Sequence, residues 1–185
     1  LAALKDPCKE YRNAVLNYAS DYANKDLYVE LGKAVAKAKP EIKVDLLNWF
    51  GREAKRSSQH AIIQNLDLRF DLPFRQVLVE QLNDVNYPVK EAATWTMVKI
   101  GDKSYIPVLA NLLTSNDTQV VLLGQDALAA FSGDIDNAVA NVISSATNAG
   151  KIACLELLAM RKADANVNTV LEQIKAGSPE VKAAA

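Results

Sequence analysis

The only histidine of the chain, His60, lies a few residues after two serines, and a serine with a histidine can perform nucleophilic catalysis. Such a pair needs a third residue that orients the histidine and a fixed geometry, which closeness in sequence does not provide. Ser57 and Ser58 follow Arg56, a pattern typical of the residue that caps the start of a helix. We therefore predict a capping or surface role for these serines and no catalytic residue.

Metal and cofactor chemistry has equally little support in the sequence. The two cysteines, Cys8 and Cys154, are too far apart for a CxxC motif, and with His60 they do not have the spacing of zinc ligands. The seven glycines form neither a GxGxxG nor a GxxxxGK motif, so no nucleotide-binding loop is visible. We expect no metal, no cofactor and no enzymatic activity.

Two pairs of aspartates remain as candidates for acid–base catalysis or calcium binding. They are Asp134 with Asp136 and Asp67 with Asp71. Aspartates are also common in solvated turns, where their side chains bond to the backbone, and we favour that explanation for both pairs.

Composition indicates an all-α protein. Half of the 185 residues are hydrophobic and 23% are charged, which suits a chain that buries a core, while few glycines and aromatic residues argue against a β-sandwich or barrel. The net charge of −1 gives no excess of positive charge for nucleic acid. No apolar run reaches the roughly 18 residues of a membrane span. Because the sequence starts at Leu1 and its last helix pattern stops at Ala185, we expect a fragment of a longer protein, with its compartment undetermined.

An internal repeat is the strongest signal. Apolar or small residues recur at i, i+3, i+4, i+7, i+8 and i+11, which is one stripe on an α-helix, with a period of about 31 residues. Copies of the stripe begin at Tyr11, Ile42, Val89, Val120, Ile152 and Val181. Polar residues interrupt the stripe at four positions, Asp45, Glu53, Thr96 and Glu156. We predict that each stripe is the buried face of the first helix of a helix pair.

Second helices are predicted between these stripes, separated by turns rich in Gly, Asn, Asp and Ser. Their apolar positions are Leu27, Leu31 and Val35; Ile106, Leu109 and Leu113; Val139, Val142 and Ile143; and Val167, Val170 and Ile174. The distance from Ile42 to Val89 is about half a repeat too long. We therefore expect an irregular insert around residues 66–83 that contains one extra short helix.

The segments Pro88–Ala93, Ile100–Asp102 and Ile106–Leu109 resemble a bacterial HEAT-like repeat of the PBS-lyase type, and Ser178–Ala184 begins a further copy. This resemblance implies a right-handed α-α superhelix, an armadillo-type solenoid of about five to six helix pairs that forms a single domain over residues 1–185. In such a solenoid Cys8 and Cys154 lie several units apart, beyond the roughly 7 Å that a disulfide allows between Cα atoms. We predict free thiols, with Cys154 buried in a helix.

The resemblance implies a non-catalytic module for protein–protein interaction or scaffolding, whose concave face binds a protein, a peptide or a neighbouring domain of the same chain. Trp95 lies off the stripe of its helix, so it either anchors a partner or packs against the insert. Helix phase and the implied fold give the possible partner-binding residues as Trp95, Glu30, Lys33, Lys37, Gln64, Asn111, Asn137, Asn141 and Glu172.

Other functions of HEAT-like proteins stay open as alternatives. The chain also resembles HEAT-like stretches that serve as structural spacers beside carbohydrate-active domains, such as keto-glycoside hydrolase modules, in large exported bacterial proteins. Similarity to phycobilin lyases implies chromophore handling, and similarity to HEAT-like DNA glycosylases implies duplex binding, which the charge disfavours. Charge is uneven, with ten basic and seven acidic residues over Lys25–Arg75 but only Lys103 against five aspartates over Ile100–Gly150. This could steer a partner.

Overall fold

The computed structural model describes residues 2–21, 25–57 and 72–185. All regular structure in these residues is helical, which confirms the all-α prediction. The chain divides into two compact units, Leu1–Ile100 and Gly101–Ala185.

In the first unit, a 3-10 turn at Ala2–Lys5 precedes the α-helices. The helices are α1 (Lys9–Asp21), α2 (Lys25–Lys37), α3 (Pro40–Ser57), α4 (Leu72–Gln81) and α5 (Tyr87–Ile100). Helix α3 packs against α1, α2 and α5, and α4 packs against α2 and α5. The predicted first helices α1, α3 and α5 therefore contact one another in chain order.

The second unit has the same alternation. Its helices are α6 (Ile106–Ala110), α7 (Thr118–Ala130), α8 (Asp136–Val142), α9 (Asn148–Arg161), α10 (Val167–Ala176) and α11 (Pro179–Ala184), with 3-10 turns at Lys103–Tyr105, Asn111–Thr114 and Asp164–Asn166. Helix α9 packs against α7 and α11, while α6 contacts α7 and α8. Asp102, Asp117, Thr147 and Ser178 cap four of these helices or turns with their side chains.

The predicted stripes are confirmed in α3, α5 and α7. Every stripe residue of α5 and α7 is buried. In α3 the stripe is buried except for the half-buried Ile42, and the buried positions include Asp45 and Glu53. Trp49 is buried as predicted, and its ring stacks on Tyr28 with centroids 5.1 Å apart.

The stripe is wrong in α1. Tyr11 and Tyr18 are 50% and 67% exposed, whereas Arg12, Leu16 and Ser20 are buried. On the helix, the predicted face of α1 lies about 100 degrees from the face that is buried. The prediction failed because a polar side chain can be buried as easily as a tyrosine when a partner on the neighbouring helix forms hydrogen bonds with it.

The stripe is also wrong in α9, by a phase of two residues. The helix buries Gly150, Ala153, Cys154, Leu155, Leu157 and Leu158. Glu156 is exposed and Met160 is 63% exposed. Apolar residues occur on both faces of α9, so spacing alone did not separate the two phases, and Glu156 was the residue that indicated the wrong one.

Gly150 explains which face of α9 is buried. A Cβ atom at this position would overlap the carbonyl oxygen of Leu113 in the 3-10 turn Asn111–Thr114. The N-terminal turn of α9 thus approaches a neighbouring backbone more closely than any side chain permits.

Two further sequence predictions can be compared with the structure. The predicted stripe of α10 is only partly buried, since Val167 and Ile174 are 49% and 43% exposed. Helix α4 lies inside the segment where the insert was predicted, and it contacts α2 and α5. The prediction of an irregular insert also covers residues 66–71, which lie outside the described residues.

Candidate functional site

The structure describes both cysteines and some of the other residues with potential for catalysis. Burial raises the pKa of the Cys154 thiol to about 12, so it is protonated and unreactive at neutral pH. Cys8 is exposed, and both cysteines are free, as predicted. Within residues 2–21, 25–57 and 72–185 no three His, Cys, Asp or Glu side chains cluster in a way that could hold a metal ion.

The structure describes some of the serines and aspartates that the sequence offered as candidates. Ser57 is the last residue of α3, so the prediction that it begins a helix was wrong, and Ser58 and His60 lie outside the described residues. Asp136 accepts hydrogen bonds at its Oδ1 from Arg161 over 2.6 Å, and Arg161 also donates to the Gly133 carbonyl. Asp67 and Asp71 lie outside the described residues.

The predicted partner-binding residues are mostly exposed. Trp95 is partly exposed and Gln64 lies outside the described residues. The exposed members are Glu30, Lys33, Lys37, Asn111, Asn137, Asn141 and Glu172. Lys33 forms an ion pair with Glu30 over 2.8 Å. Asn137 accepts a hydrogen bond from Asn166 over 3.5 Å.

One of these residues, Lys37, lines a cavity of about 500 Å³ in the first unit. We call it the lysine cavity. Its lining consists of Leu4, Lys5, Ala34, Lys37, Ala38, Lys39, Ile42 and Leu46. The volume lies within the range of roughly 300 to 1,000 Å³ that is typical of ligand sites. Among the described residues that line the cavity there is no carboxylate, and the polar side chains are all lysines.

Three elements of the chain meet at the lysine cavity. The 3-10 turn Ala2–Lys5 forms one wall, the C-terminal turn of α2 forms another, and the first two turns of α3 form the floor. Pro40 begins α3 and fixes a backbone angle suited to the first helical position, so the chain turns sharply between α2 and α3. Leu46 is fully buried, and Ile42 is half-buried.

A buried ion pair holds the first wall in place. The Arg12 Nε donates to Asp45 Oδ2 over 2.7 Å, and Arg12 Nη1 donates to the carbonyl oxygens of Asp6 and Pro7 over 2.8 and 2.9 Å. A single guanidinium therefore ties the segment that follows Lys5 to both α1 and α3.

A second buried polar cluster lies two turns further along the same helices. Trp49 Nε1 donates to Ser20 Oγ over 2.8 Å, and Ser20 Oγ lies 2.8 Å from Glu53 Oε1. Tyr28 donates to the other carboxylate oxygen of Glu53 over 3.0 Å. The cluster joins α1, α2 and α3 and leaves the carboxylate well supplied with donors.

Sequence reasoning missed most of the lysine cavity. It selected Lys37 but neither Lys5 nor Lys39, because these residues come from separate elements whose proximity no spacing shows. It also missed Arg12 as a positioning residue. The signal for Arg12 was present, since Asp45 is one of two carboxylates in the stripe of α3 and a buried carboxylate requires a partner.

Comparison with protein-family models and with curated proteins finds no match to the chain. None of the described helices combines the length and apolar character that crossing a membrane requires.

Proposed function

We propose that the chain is a non-catalytic protein-binding module built as a HEAT-like α-solenoid. The order of helix contacts supports the architecture. In the first unit α1, α3 and α5 pack in succession while α2 packs on α4, and in the second unit α7, α9 and α11 pack in succession while α6 packs on α8. Stacked helix pairs produce this alternation, because each pair buries its apolar face only against its neighbours.

The observation that carries the proposal is a constant register between neighbouring first helices. Arg12 with Asp45 and Ser20 with Glu53 are two contacts between α1 and α3, and each joins residues 33 positions apart. The second contact lies further toward the C-terminus than the first on both helices, since Ser20 follows Arg12 in α1 and Glu53 follows Asp45 in α3. The two helices therefore run parallel. Helix α9 bonds to α7 through Glu156 and Gln125, which are 31 positions apart. Parallel helices offset by one repeat are the geometry of an α-solenoid.

Second helices supply the binding surface in this proposal. Lys33 and Lys37 of α2, and Asn137 and Asn141 of α8, are exposed along one side of their helices. Within each unit, exposed polar side chains on a second helix suit contact with a peptide or a neighbouring domain. Trp95 remains a candidate anchor because it is partly exposed.

Exposed apolar side chains favour a structural spacer as a second function. Tyr11 and Tyr18 of α1 are at least half exposed, and Val167, Leu171 and Ile174 of α10 are between 43% and 49% exposed. Apolar side chains grouped on one helix face mark contact surfaces more often than isolated ones do. In the spacer function these faces contact neighbouring domains, among them a carbohydrate-active domain of the keto-glycoside hydrolase kind.

Selection of peptides on the whole chain tests the binding function. A displayed library of random twelve-residue peptides is selected, and hydrogen exchange then maps the amides that each selected peptide protects. We expect peptides with Kd below about 100 μM, corresponding to roughly 5.5 kcal/mol, that protect α2, α8 or the 3-10 turn Asn111–Thr114. Failure to select any such peptide, or protection confined to the first helices α3, α5, α7 and α9, contradicts the proposal.

A further inference from the structure

We propose that the lysine cavity binds an acidic peptide segment that inserts an apolar side chain. This inference rests on the proposed binding function and assigns it a site and a class of partner. The cavity combines an apolar floor with a cationic rim, and the occupant must match both.

The floor sets the apolar part of the occupant. Leu46, which lines the cavity, is fully buried, and Leu4 is 4% exposed, while Ala34 of α2 and Ala38 of the linker carry only methyl groups. The volume of about 500 Å³ beside these residues is unfilled. A leucine or phenylalanine from a partner is stabilised by burying its side chain against these apolar residues.

The rim sets the charge of the occupant. Lys5, Lys37 and Lys39 are exposed, and none of the three forms an ion pair with another residue of the described chain. By contrast, the nearby Lys33 and Lys43 pair with Glu30 and Asp84. Three cations that line one cavity, with no carboxylate among its described lining residues, attract an anionic partner through complementary potential.

The lysine side chains set the sign of this field. The positive end of α3, which begins at Pro40, lies at the cavity, but the negative end of α2, which ends at Lys37, lies there too, so the two helix dipoles oppose each other. A peptide can carry carboxylates on the residues before and after an apolar residue. Its carboxylates can then lie near the lysines while the apolar side chain enters the cavity. An acidic peptide therefore fits the cavity better than a single small anion, which would leave the floor empty.

Fluorescence anisotropy with a defined probe tests the inference. The probe is a fluorescein-labelled peptide of sequence EEDLLDEE, and its controls are KKKLLKKK and EEDAADEE, all with the full chain at low ionic strength. We expect EEDLLDEE to bind with a Kd below about 1 mM, at least about fivefold tighter than EEDAADEE and with no measurable binding of KKKLLKKK. Binding should weaken at least about fivefold in 0.5 M salt.

Variants locate the binding. Lys37→Glu and Lys39→Glu should each weaken EEDLLDEE at least about tenfold, whereas Lys103→Glu, an exposed lysine of the second unit, should change the Kd by less than about twofold. Ala34→Phe fills the cavity without removing charge and should abolish binding. If Ala34→Phe lowers the melting temperature, Ala38→Phe is used instead, because Ala38 also lines the cavity and lies in the linker between α2 and α3.

Several results overturn the inference. These are no binding of EEDLLDEE, equal binding of the basic control, and Kd values that the charge reversals do not change. If the chain binds no peptide but sediments with phosphatidylserine vesicles, and Lys37→Glu abolishes that sedimentation, the lysine cavity binds a lipid surface instead of a peptide. Peptides selected on the protein that protect only α8 or Asn111–Thr114 overturn the lysine cavity as the site but leave the proposed binding function intact.

Discussion

Nε of Arg12 lies 2.7 Å from Oδ2 of Asp45, and the two side chains are only 7% and 5% exposed. The pair joins α1 to α3, and Arg12 also binds the carbonyls of Asp6 and Pro7. Arg12 thereby connects the packing of α1 on α3 to the wall of the lysine cavity. Its planar group with several donors can serve all of these acceptors at once, which lysine cannot do.

Removing one member of this pair should destabilise the first unit strongly. Asp45→Leu leaves a buried guanidinium without its carboxylate, which costs about 3 to 5 kcal/mol, while the double variant Arg12→Met with Asp45→Leu should recover most of that loss. Urea unfolding followed by tryptophan fluorescence measures both, because Trp49 and Trp95 lie in the first unit. A loss below about 1 kcal/mol in Asp45→Leu would refute the role of the pair. The double variant should still bind EEDLLDEE more weakly, because the tie to Asp6 and Pro7 is gone.

The core stripe of α7 permits a matched comparison of two leucines. Leu128 is fully buried and Leu122 is 53% exposed on the same helix. Leu128→Asp should remove the helicity of at least its own and the adjacent repeats, because an unpaired buried carboxylate costs more than about 4 kcal/mol. Leu122→Asp should change stability by less than about 0.5 kcal/mol. Circular dichroism during thermal unfolding compares them, and equal melting of both variants would show that the stripe is misassigned.

Periodicity predicted the buried faces of α5 and α7 correctly. In α7 the competing stripe that starts at the exposed Leu122 is interrupted by Gln125 and Asp126, so the stripe through Leu128 was the more apolar of the two. In α9 both faces carry apolar side chains, and the close approach of Gly150 to Leu113 determined the phase instead. A tertiary contact of this kind is not encoded in the spacing of one helix.

Polar residues account for the failure in α1. Arg12 and Ser20 are buried because Asp45 and Glu53 lie opposite them, 33 residues further along the chain. A search for apolar stripes excludes both members of such a pair. In the folded protein the two polar side chains bond to each other, because the helices are in register. The lysine cavity was unpredictable for a related reason, since its walls come from three elements and only Lys37 lay on a recognised helix face.

Alanine substitution at two glycines tests the close approach in the second unit. In Gly150→Ala the new methyl group overlaps a backbone carbonyl, so α9 must shift, and we expect a loss of about 2 to 3 kcal/mol despite the better helix propensity of alanine. In Gly133→Ala the nearest atoms lie 3.7 Å from the added Cβ, which is ordinary contact, so stability should hardly change. Thermal melts of both variants provide the comparison, and a Gly150→Ala protein as stable as the parent would exclude the predicted overlap.

The two cysteines should differ sharply in reactivity. Cys8 is exposed, whereas Cys154 is buried with a pKa raised to about 12. A thiol-specific disulfide reagent at pH 8 should modify one thiol per folded chain and two in urea, because only thiolate reacts. Cys8→Ser should then show no fast reaction. Fast modification of Cys154 in the folded Cys8→Ser protein would contradict its burial.

The ion pair of Lys43 with Asp84 should make the stability of the first unit depend on pH. The two atoms lie 2.7 Å apart, and the side chains are 14% and 10% exposed. Burial acts to raise the pKa of Asp84, but hydrogen bonds from Lys43 and from the backbone and side chain of Asn86 lower it from 3.8 to about 2. The folded state therefore binds the Asp84 proton more weakly than the unfolded state does.

A carboxylate with a lowered pKa stabilises the fold above the unfolded value of 3.8, and its contribution is lost as the pH falls toward 2. Asp84→Asn should consequently cost about 1 to 2 kcal/mol at pH 7, after allowance for solvent screening, and progressively less in acid. Urea unfolding by tryptophan fluorescence at several pH values between 3 and 7 measures the difference from the parent. Lys43→Met should reproduce part of the loss at pH 7, because Asp84 keeps its bonds to Asn86. A cost of Asp84→Asn that is the same at both ends of this range would disprove the contribution of the Asp84 charge.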